Sequence, residues 1–288
     1  MNTRNYYCLV AGLPDIVPDD KKLHFSSVQL CGYLHEQLHP DDFEMVKLLY
    51  LPWDHENLLN LLFKKEFVLD ERGIYTSENL EQLTDKKQFD LIDPNAFPPY
   101  FIDFVQFYYD EEEEFSRSTG SHYLTQAWFK MLSGHKNSFL NQLATYKLNM
   151  GNIMLALNGR KHNIPIDGAL IGDDEITHAL RKSRSRDFGL STEINDIEEI
   201  VQIFEIENIL DRELRLDNHM WNHLDEITFF NYFTIEKVMA FVQKLFIVER
   251  WYVLDKEKGQ QMFSKLLNEL QSNFEFSEEF AITYGKRN

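Results

Sequence analysis

Glycine and proline are scarce in this sequence. Its 288 residues include 12 glycines and 8 prolines, well below the roughly 12% that these two residues make up in average proteins. Because they mark many turns and helix ends, their scarcity predicts long regular elements. Strict alternation of apolar and polar residues is also scarce, which disfavours a sheet. The sequence therefore predicts a predominantly α-helical fold, in which only residues 6–10 have a pattern that also fits a short extended segment.

Cysteines and long apolar runs are equally rare. Cys8 and Cys31 are the two cysteines, and their spacing is not that of a C-x-x-C motif, so a reducing compartment fits better than a disulfide scaffold. No run reaches the roughly 18 apolar residues of a membrane-spanning helix. The short apolar stretch at residues 6–13 contains two tyrosines and is followed at once by Pro14, unlike a signal peptide. We expect a cytoplasmic protein.

Positive charge is also in short supply. Lysine and arginine total 29 against 47 aspartates and glutamates, which gives a formal net charge of −18. Such a surface repels nucleic-acid phosphates and anionic lipid headgroups. We therefore expect no nucleic-acid binding and no direct insertion into lipid, so that any membrane association runs through a protein partner. Hydrophobic residues nevertheless make up 43% of the chain, which predicts a folded protein.

The usual catalytic signatures are absent: there is no phosphate-binding loop, no dinucleotide fingerprint and no nucleophile elbow. His219 and His223 are weak metal candidates, because their i, i+4 spacing places both imidazoles on one helix face and Asp225 and Glu226 lie nearby. Residues 220–222 are Met-Trp-Asn, so the general-base glutamate of an H-E-x-x-H motif is missing. We expect surface histidines, no cofactor and no enzyme; a metal-dependent helical enzyme is the alternative.

The most informative feature that is present is an internal repeat. The run NLLNLLFKK beginning at Asn57 returns loosely as NIMLALNGR beginning at Asn152. An acid, Asp54, precedes the first copy, whereas Asn149 takes that place in the second. A third, weaker copy aligns Glu249 with Asp54 but has no following asparagine. Repeated helical units are the mark of a duplicated architecture, and we consider them more typical of a scaffold than of a catalytic pocket.

The repeat divides the chain into three predicted helical units, which can also pack as one body: residues 1–98, 99–190 and 191–288. Capping residues, breakers and apolar spacing predict these helices, among others: 26–38, 41–51, 54–65, 77–83, one ending at 158, an acidic one from 190, one capped by Thr234, and 257–271. The break after residue 51 reflects Pro52, because proline cannot continue a helix interior.

Glu249 falls within the apolar stripe of the helix that follows Thr234. A lone buried carboxylate is costly, so it must be paired, protonated or part of a functional site. We expect an ion pair across the helix packing, with Arg212 or Arg215 as the nearest candidates. A catalytic role requires a second acid or a metal that the sequence does not identify.

One dense basic cluster interrupts the acidic chain, and its members alternate with two serines: Arg181, Lys182, Arg184 and Arg186. Two interpretations are equally supported. The cluster can dock an acidic partner, or it can be a helix end whose positive charges complement the helix dipole.

The opening run YYCLVAGLP, residues 6–14, resembles the start of a bacterial family encoded among V/A-type ATPase subunits. Residues 49–51, 54–59 and 70–73, which read LYL, DHENLL and DERG, are similar to the same family. The resemblance covers most of the chain, but its specific motifs lie in the first seventy-odd residues.

That resemblance implies a counterpart of the C-type component of the central stalk, known in eukaryotic enzymes as the d-type component, which is built from three similar helical units forming a funnel. It further implies a non-enzymatic socket between the rotating shaft and the proteolipid ring. The expected partners are then the central-stalk proteins and that ring, and the expected location is peripheral, on the cytoplasmic side of the membrane. No contact residues are carried over. Without the resemblance, a free-standing helical adaptor is the alternative.

Overall fold

The computed structural model describes residues 4–18, 23–64, 67–110 and 115–253. Within these ranges the chain is helical and has no strand, which confirms the predominantly α-helical fold. A 3-10 helix covers Phe89–Leu91, and the α-helices are α1 (Tyr7–Gly12), α2 (Ser27–Gln37), α3 (Pro40–Phe63), α4 (Ser77–Leu83), α5 (Pro99–Asp110), α6 (Arg117–Ser133), α7 (Ser138–His162), α8 (Glu175–Lys182), α9 (Ile197–Glu205), α10 (Ile209–Ile227) and α11, described over 235–253.

Two expectations about the first sixty residues are wrong. The segment that also fitted an extended strand is the helix α1, which buries Leu9. Five residues are too few to separate the periods of a strand and a helix. The second error is the break at Pro52, because α3 runs through that residue without ending. Proline costs about 3 kcal/mol inside a helix; burial of Leu51 and Leu58 on either side offsets this cost.

Two further helix ends differ from expectation. The acidic helix begins at Ile197 rather than near residue 190, since residues 190–196 form turns. Helix α7 continues past Gly159 to His162 and ends where Asn163 adopts a left-handed conformation. Gly159 serves packing instead: a Cβ there would lie 2.3 Å from the Ile166 side chain. The helix predicted over 257–271 lies outside the described residues.

Three helix pairs share the main core. Short connections join α2 to α3, α6 to α7, and α10 to α11. Each pair supplies fully buried leucine or valine side chains to a single cluster: Leu34, Leu58, Leu124, Leu143, Leu224 and Val242. A second cluster lies between the C-terminal half of α7, α8 and α9. The unit boundaries at residues 98 and 190 stay a prediction.

No helix in the described part of the chain combines the length and the apolar composition that a membrane crossing requires.

Candidate interaction surfaces

The two asparagines of the repeat make the same contacts. The side-chain amide of Asn57 donates to the Asp70 carbonyl oxygen at 3.0 Å, and its oxygen accepts from the Asp70 N–H at 2.8 Å. Asn152 bonds both backbone groups of Ile171 in the same way, at 2.8 and 3.0 Å. Both asparagines are buried. Each one therefore fixes the loop that follows a long helix.

The segments that follow these loops are also alike. Thr76 and Asn79 form a capping box at the start of α4, and Asp174 and Thr177 form one at the start of α8. Such boxes satisfy backbone N–H groups that the first helical turn leaves free. A long helix, a loop held by an asparagine, a capping box and a short helix thus occur twice along the chain.

In the first copy an acid holds the loop as well. The carboxylate of Asp54 accepts from the backbone N–H groups of Ile74 at 2.9 Å and Tyr75 at 3.1 Å. Burial raises the pKa of Asp54 to about 7, although these two N–H groups act in the opposite direction. Gly73 permits the close approach, because a Cβ at that position would lie 2.5 Å from Asp54 Oδ1. Asp54 is a structural carboxylate.

Glu249 binds a helix N-terminus rather than an arginine. Its Oε1 accepts from the backbone N–H of Ser27, the first residue of α2, at 2.8 Å. The expected ion pair with Arg212 or Arg215 is wrong for the described residues: Arg212 lies over the Phe204 ring, 5.6 Å from its centroid. A helix N-terminus attracts a carboxylate because its free N–H groups carry partial positive charge.

The first metal candidate, His219, forms part of a hydrogen-bond chain. His219 Nδ1 lies 2.6 Å from the Tyr146 hydroxyl, and Nε2 lies 2.9 Å from Asp196 Oδ2. The His219 side chain is 8% exposed, so the expectation of surface histidines is wrong. Both of its ring nitrogens are occupied, by a tyrosine of α7 and by the residue that precedes α9. This chain of contacts joins α7, α9 and α10.

His223 does not join His219 in a ligand set. Its ring stacks on Tyr146 at 4.1 Å between centroids, and its buried Nε2 has no hydrogen-bond partner among the described residues. Burial lowers the pKa of His223. No group of three or more histidines, cysteines and acids in the described ranges could hold a metal ion. The expected neighbour Asp225 instead pairs with Lys244 at 2.6 Å.

The predicted basic cluster divides into paired and unpaired residues. Arg186 is held between Glu198 and Glu205. Lys182 and Arg184 are exposed and make no ion pair with any residue that the structure describes. Since α8 ends at Lys182, the helix-dipole interpretation applies to the first two members of the cluster and not to the two that follow.

Arg181 has a weaker contact, with its guanidinium 3.5 Å from Asp173. Arg160, which the sequence interpretation did not include, donates to the backbone oxygens of Ser183 at 3.1 Å and Ser185 at 2.7 Å. The last turn of α7 thereby joins the cluster and brings the exposed Lys161 with it. The sequence signal for this contribution is the basic run GRKH, residues 159–162, at the end of the second repeat copy.

We call the resulting surface the basic end, defined by four exposed cations: Arg160, Lys161, Lys182 and Arg184. It lies at the C-terminus of α7, where positive charge complements the helix dipole. In a chain of net charge −18, these four residues form a local group of positive charge.

A second surface was missed by the sequence interpretation. The loop between α10 and α11, residues 228–234, reads TFFNYFT, and we call it the aromatic loop. Phe230 is 83% exposed, and Phe229 and Tyr232 are each 64% exposed. The signal that could have found it is a run of four aromatics between two apolar helical stripes.

The two surfaces lie at opposite ends of α7. Asn137, which caps the N-terminus of α7, donates to Glu236 at 2.7 Å. Glu236 is the second residue of α11, which begins where the aromatic loop ends. The 25 residues of α7 span about 37 Å at 1.5 Å per residue. At the aromatic-loop end, a cavity of about 1000 Å³ opens between the N-termini of α3, α7 and α11. Residues of both charge signs line it, among them Arg4 and Asp42.

Comparison with known proteins identifies one family. A family model described as "Protein of unknown function (DUF2764)" matches residues 1–274. No curated protein matches the chain. No solved structure matches it either.

Proposed function

Since the chain belongs to the DUF2764 family, whose description states no function, we propose one from its surfaces and its sequence resemblance. We propose that it is a non-catalytic connecting component of a V/A-type rotary ATPase, placed between the central shaft and the membrane proteolipid ring. It would be cytoplasmic and would reach the membrane through its protein partners.

The observation that carries this proposal is the pair of unlike surfaces at the two ends of α7. One end exposes cations and the other exposes aromatic rings. A connector needs two separate contact sites, whereas an enzyme needs converging polar groups in one pocket. Of the two histidines that offered the strongest catalytic alternative, His219 bonds Tyr146 and Asp196, and His223 stacks on Tyr146.

The body between the two surfaces supports a mechanical role. Helices from all three pairs pack into one core, and Glu249 joins the third pair to the first through Ser27. Close-packed interiors have low compressibility and transmit strain. A body of this kind can pass torque from one partner to another. The resemblance of residues 6–14 and 54–59 to a family encoded with such ATPases is the second support.

Co-purification tests the proposal. A tagged chain expressed at its native level in its own host should retain shaft and ring proteins of the rotary ATPase in constant ratio. A tagged chain that never retains these proteins would contradict the proposal. Retention of unrelated proteins alone would favour the free-standing adaptor.

Activity measurements provide the matched functional readout. Deletion of the gene should reduce ATP-driven ion transport by membranes while the detached catalytic sector still hydrolyses ATP, because a connector is needed for coupling and not for hydrolysis. Unchanged transport after deletion would count against the connecting role.

A further inference from the structure

The aromatic loop exposes more apolar surface than a loop of its length needs. Phe229 and Phe230 pack edge to face, 4.9 Å between centroids, with their outer faces in solvent. Tyr7 of α1, itself exposed, contacts Phe233 at 4.8 Å. Burying a phenylalanine stabilises a protein by about 1.5–3 kcal/mol, so these rings forgo that gain in the isolated chain. Contiguous exposed apolar patches of this kind mark interaction sites.

The backbone of the loop is fixed in place. Asn231 donates its N–H to the Thr228 carbonyl oxygen at 2.9 Å, and the Phe233 carbonyl oxygen accepts from the Tyr6 N–H at 2.6 Å. Thr228 is buried, and its hydroxyl donates to the Leu224 carbonyl oxygen at 2.7 Å. A loop held in this way loses little conformational freedom on binding, which favours affinity.

The charges around the aromatic loop indicate which kind of partner binds it. Residues 216–236 contain four acids and no lysine or arginine: Asp217, Asp225, Glu226 and Glu236. Aromatic elements that dock on anionic membranes carry free cations beside the rings. The lysines that contact this segment, Lys237 and Lys244, instead lie against Asp225, at 3.8 and 2.6 Å. A second copy of the chain would bring another net charge of −18, which disfavours self-association through this loop. A protein with an apolar cleft for the rings and basic residues around it for the acids fits this loop.

We propose that the aromatic loop is the docking element through which this chain binds its protein partner, and that the partner presents an apolar cleft bordered by lysine or arginine. Phe229 and Phe230 enter the cleft, and Glu226 faces its basic border. The inference rests on the proposed function, under which the partner is a component of the rotary ATPase.

The test compares three variants for rebinding to the purified rotary ATPase from which the chain has been removed. Phe229→Ala with Phe230→Ala should weaken binding roughly 100-fold, because central aromatic residues at interfaces each contribute about tenfold or more. The matched control is Val68→Ala with Leu91→Ala, two similarly exposed apolar residues outside the loop, which should bind like wild type. Glu226→Lys should bind more weakly, with a smaller dependence on salt.

Each other outcome is decisive. If wild type binds and the double phenylalanine variant binds equally well, the docking role of the loop is overturned and the proposed function stands. Loss of binding in the control to the same extent also overturns it. If wild type does not rebind, the proposed function fails and the inference falls with it.

Two further measurements address the other occupants. Sedimentation with phosphatidylcholine vesicles, with and without phosphatidylserine, should leave the chain in the supernatant. Sedimentation velocity over a range of concentrations should show no dimer that depends on Phe229 and Phe230: the wild type and the double phenylalanine variant should have the same association state. Vesicle binding or dimerisation that depends on the two phenylalanines would overturn the protein-partner proposal.

Discussion

At the scale of single residues, two of the buried acids in the described ranges are held by backbone amides. Asp54 accepts from Ile74 and Tyr75, and Glu249 accepts from Ser27. Both acids lie fourteen residues after the first residue of their helix. Backbone N–H groups are already fixed by the fold, so they bind a carboxylate without ordering a long arginine or lysine side chain.

Asp54 predicts a specific pH dependence. Its pKa in the folded protein, about 7, lies above the usual value of 3.8, so between these values the folded state binds a proton that the unfolded state has released. The free energy of unfolding should therefore fall as pH rises through this interval, by at most about 1.4 kcal/mol per pH unit from this group. Urea unfolding at several pH values measures the slope.

The variant Asp54→Asn removes this titration and should flatten the slope. It should also be less stable than wild type by about 1–3 kcal/mol, because its amide N–H faces one of the two backbone donors. Asp167→Asn, at an exposed position, is the control and should keep the wild-type slope. Parallel pH profiles for wild type and Asp54→Asn would show that Asp54 does not titrate in this range.

At the scale of elements, the long helices owe their length to burial. Helix α3 continues through Pro52 because nearly every turn around it is buried. Helix α7 continues past Gly159, because Ile166 packs in the space that a side chain at this position would occupy. In both cases tertiary contacts outweigh a local residue preference.

The loops after these helices depend on the two repeat asparagines. Asn57→Ala and Asn152→Ala should each lower the free energy of unfolding by about 1–3 kcal/mol, because each leaves a backbone N–H and a carbonyl oxygen without partners. Thermal and urea unfolding measure both. Asn158→Ala is the matched control, since its amide donates only to Met154 within the same helix, and it should cost about 0.5 kcal/mol or less.

A large loss for Asn158→Ala, or no loss for one of the two repeat positions, would argue against an equivalent role for Asn57 and Asn152.

At the scale of the whole molecule, the third helix pair returns to the first. Tyr50 of α3 packs edge to face on Phe246 of α11, 5.0 Å between centroids, close to where Glu249 meets Ser27. These contacts join segments more than 190 residues apart in the chain. They join the first helix pair to the third within the shared core.

Removing the carboxylate should loosen this contact. Glu249→Ala should increase hydrogen exchange at the Ser27 amide and along the first turn of α2, because that N–H loses its acceptor. Glu249→Gln keeps an acceptor oxygen and should exchange more like wild type. Equal exchange rates in wild type and Glu249→Ala would show that the contact does not limit local opening.

Much of the helical pattern was predictable from local signals. Ser26 and Thr76 are capping residues of the kind that the sequence indicated, and α2 and α4 begin directly after them. The acidic helix α9 was predicted, although its start was placed too early. Such signals act within one helical turn, so they can be recognised without knowing the rest of the fold.

The candidate sites were less predictable. Lys182 and Arg184 were found because they are neighbours in sequence, but the contribution of Arg160 depends on contacts across more than twenty residues. The aromatic loop was missed because a run of phenylalanines normally indicates a buried segment. The solvent exposure of a side chain depends on the tertiary structure and cannot be read from the residue type.

Helical class, acidity and the repeated asparagines follow from the residues themselves, since each depends on composition or on interactions along one stretch of chain. Packing decided which group Glu249 binds, which groups His219 contacts and where the two surfaces lie. They arise where distant segments meet, and the geometry of those meetings is decided by the burial of the shared core. For this reason the repeat could be recognised at Asn57 and Asn152, whereas the contacts that close the molecule could not.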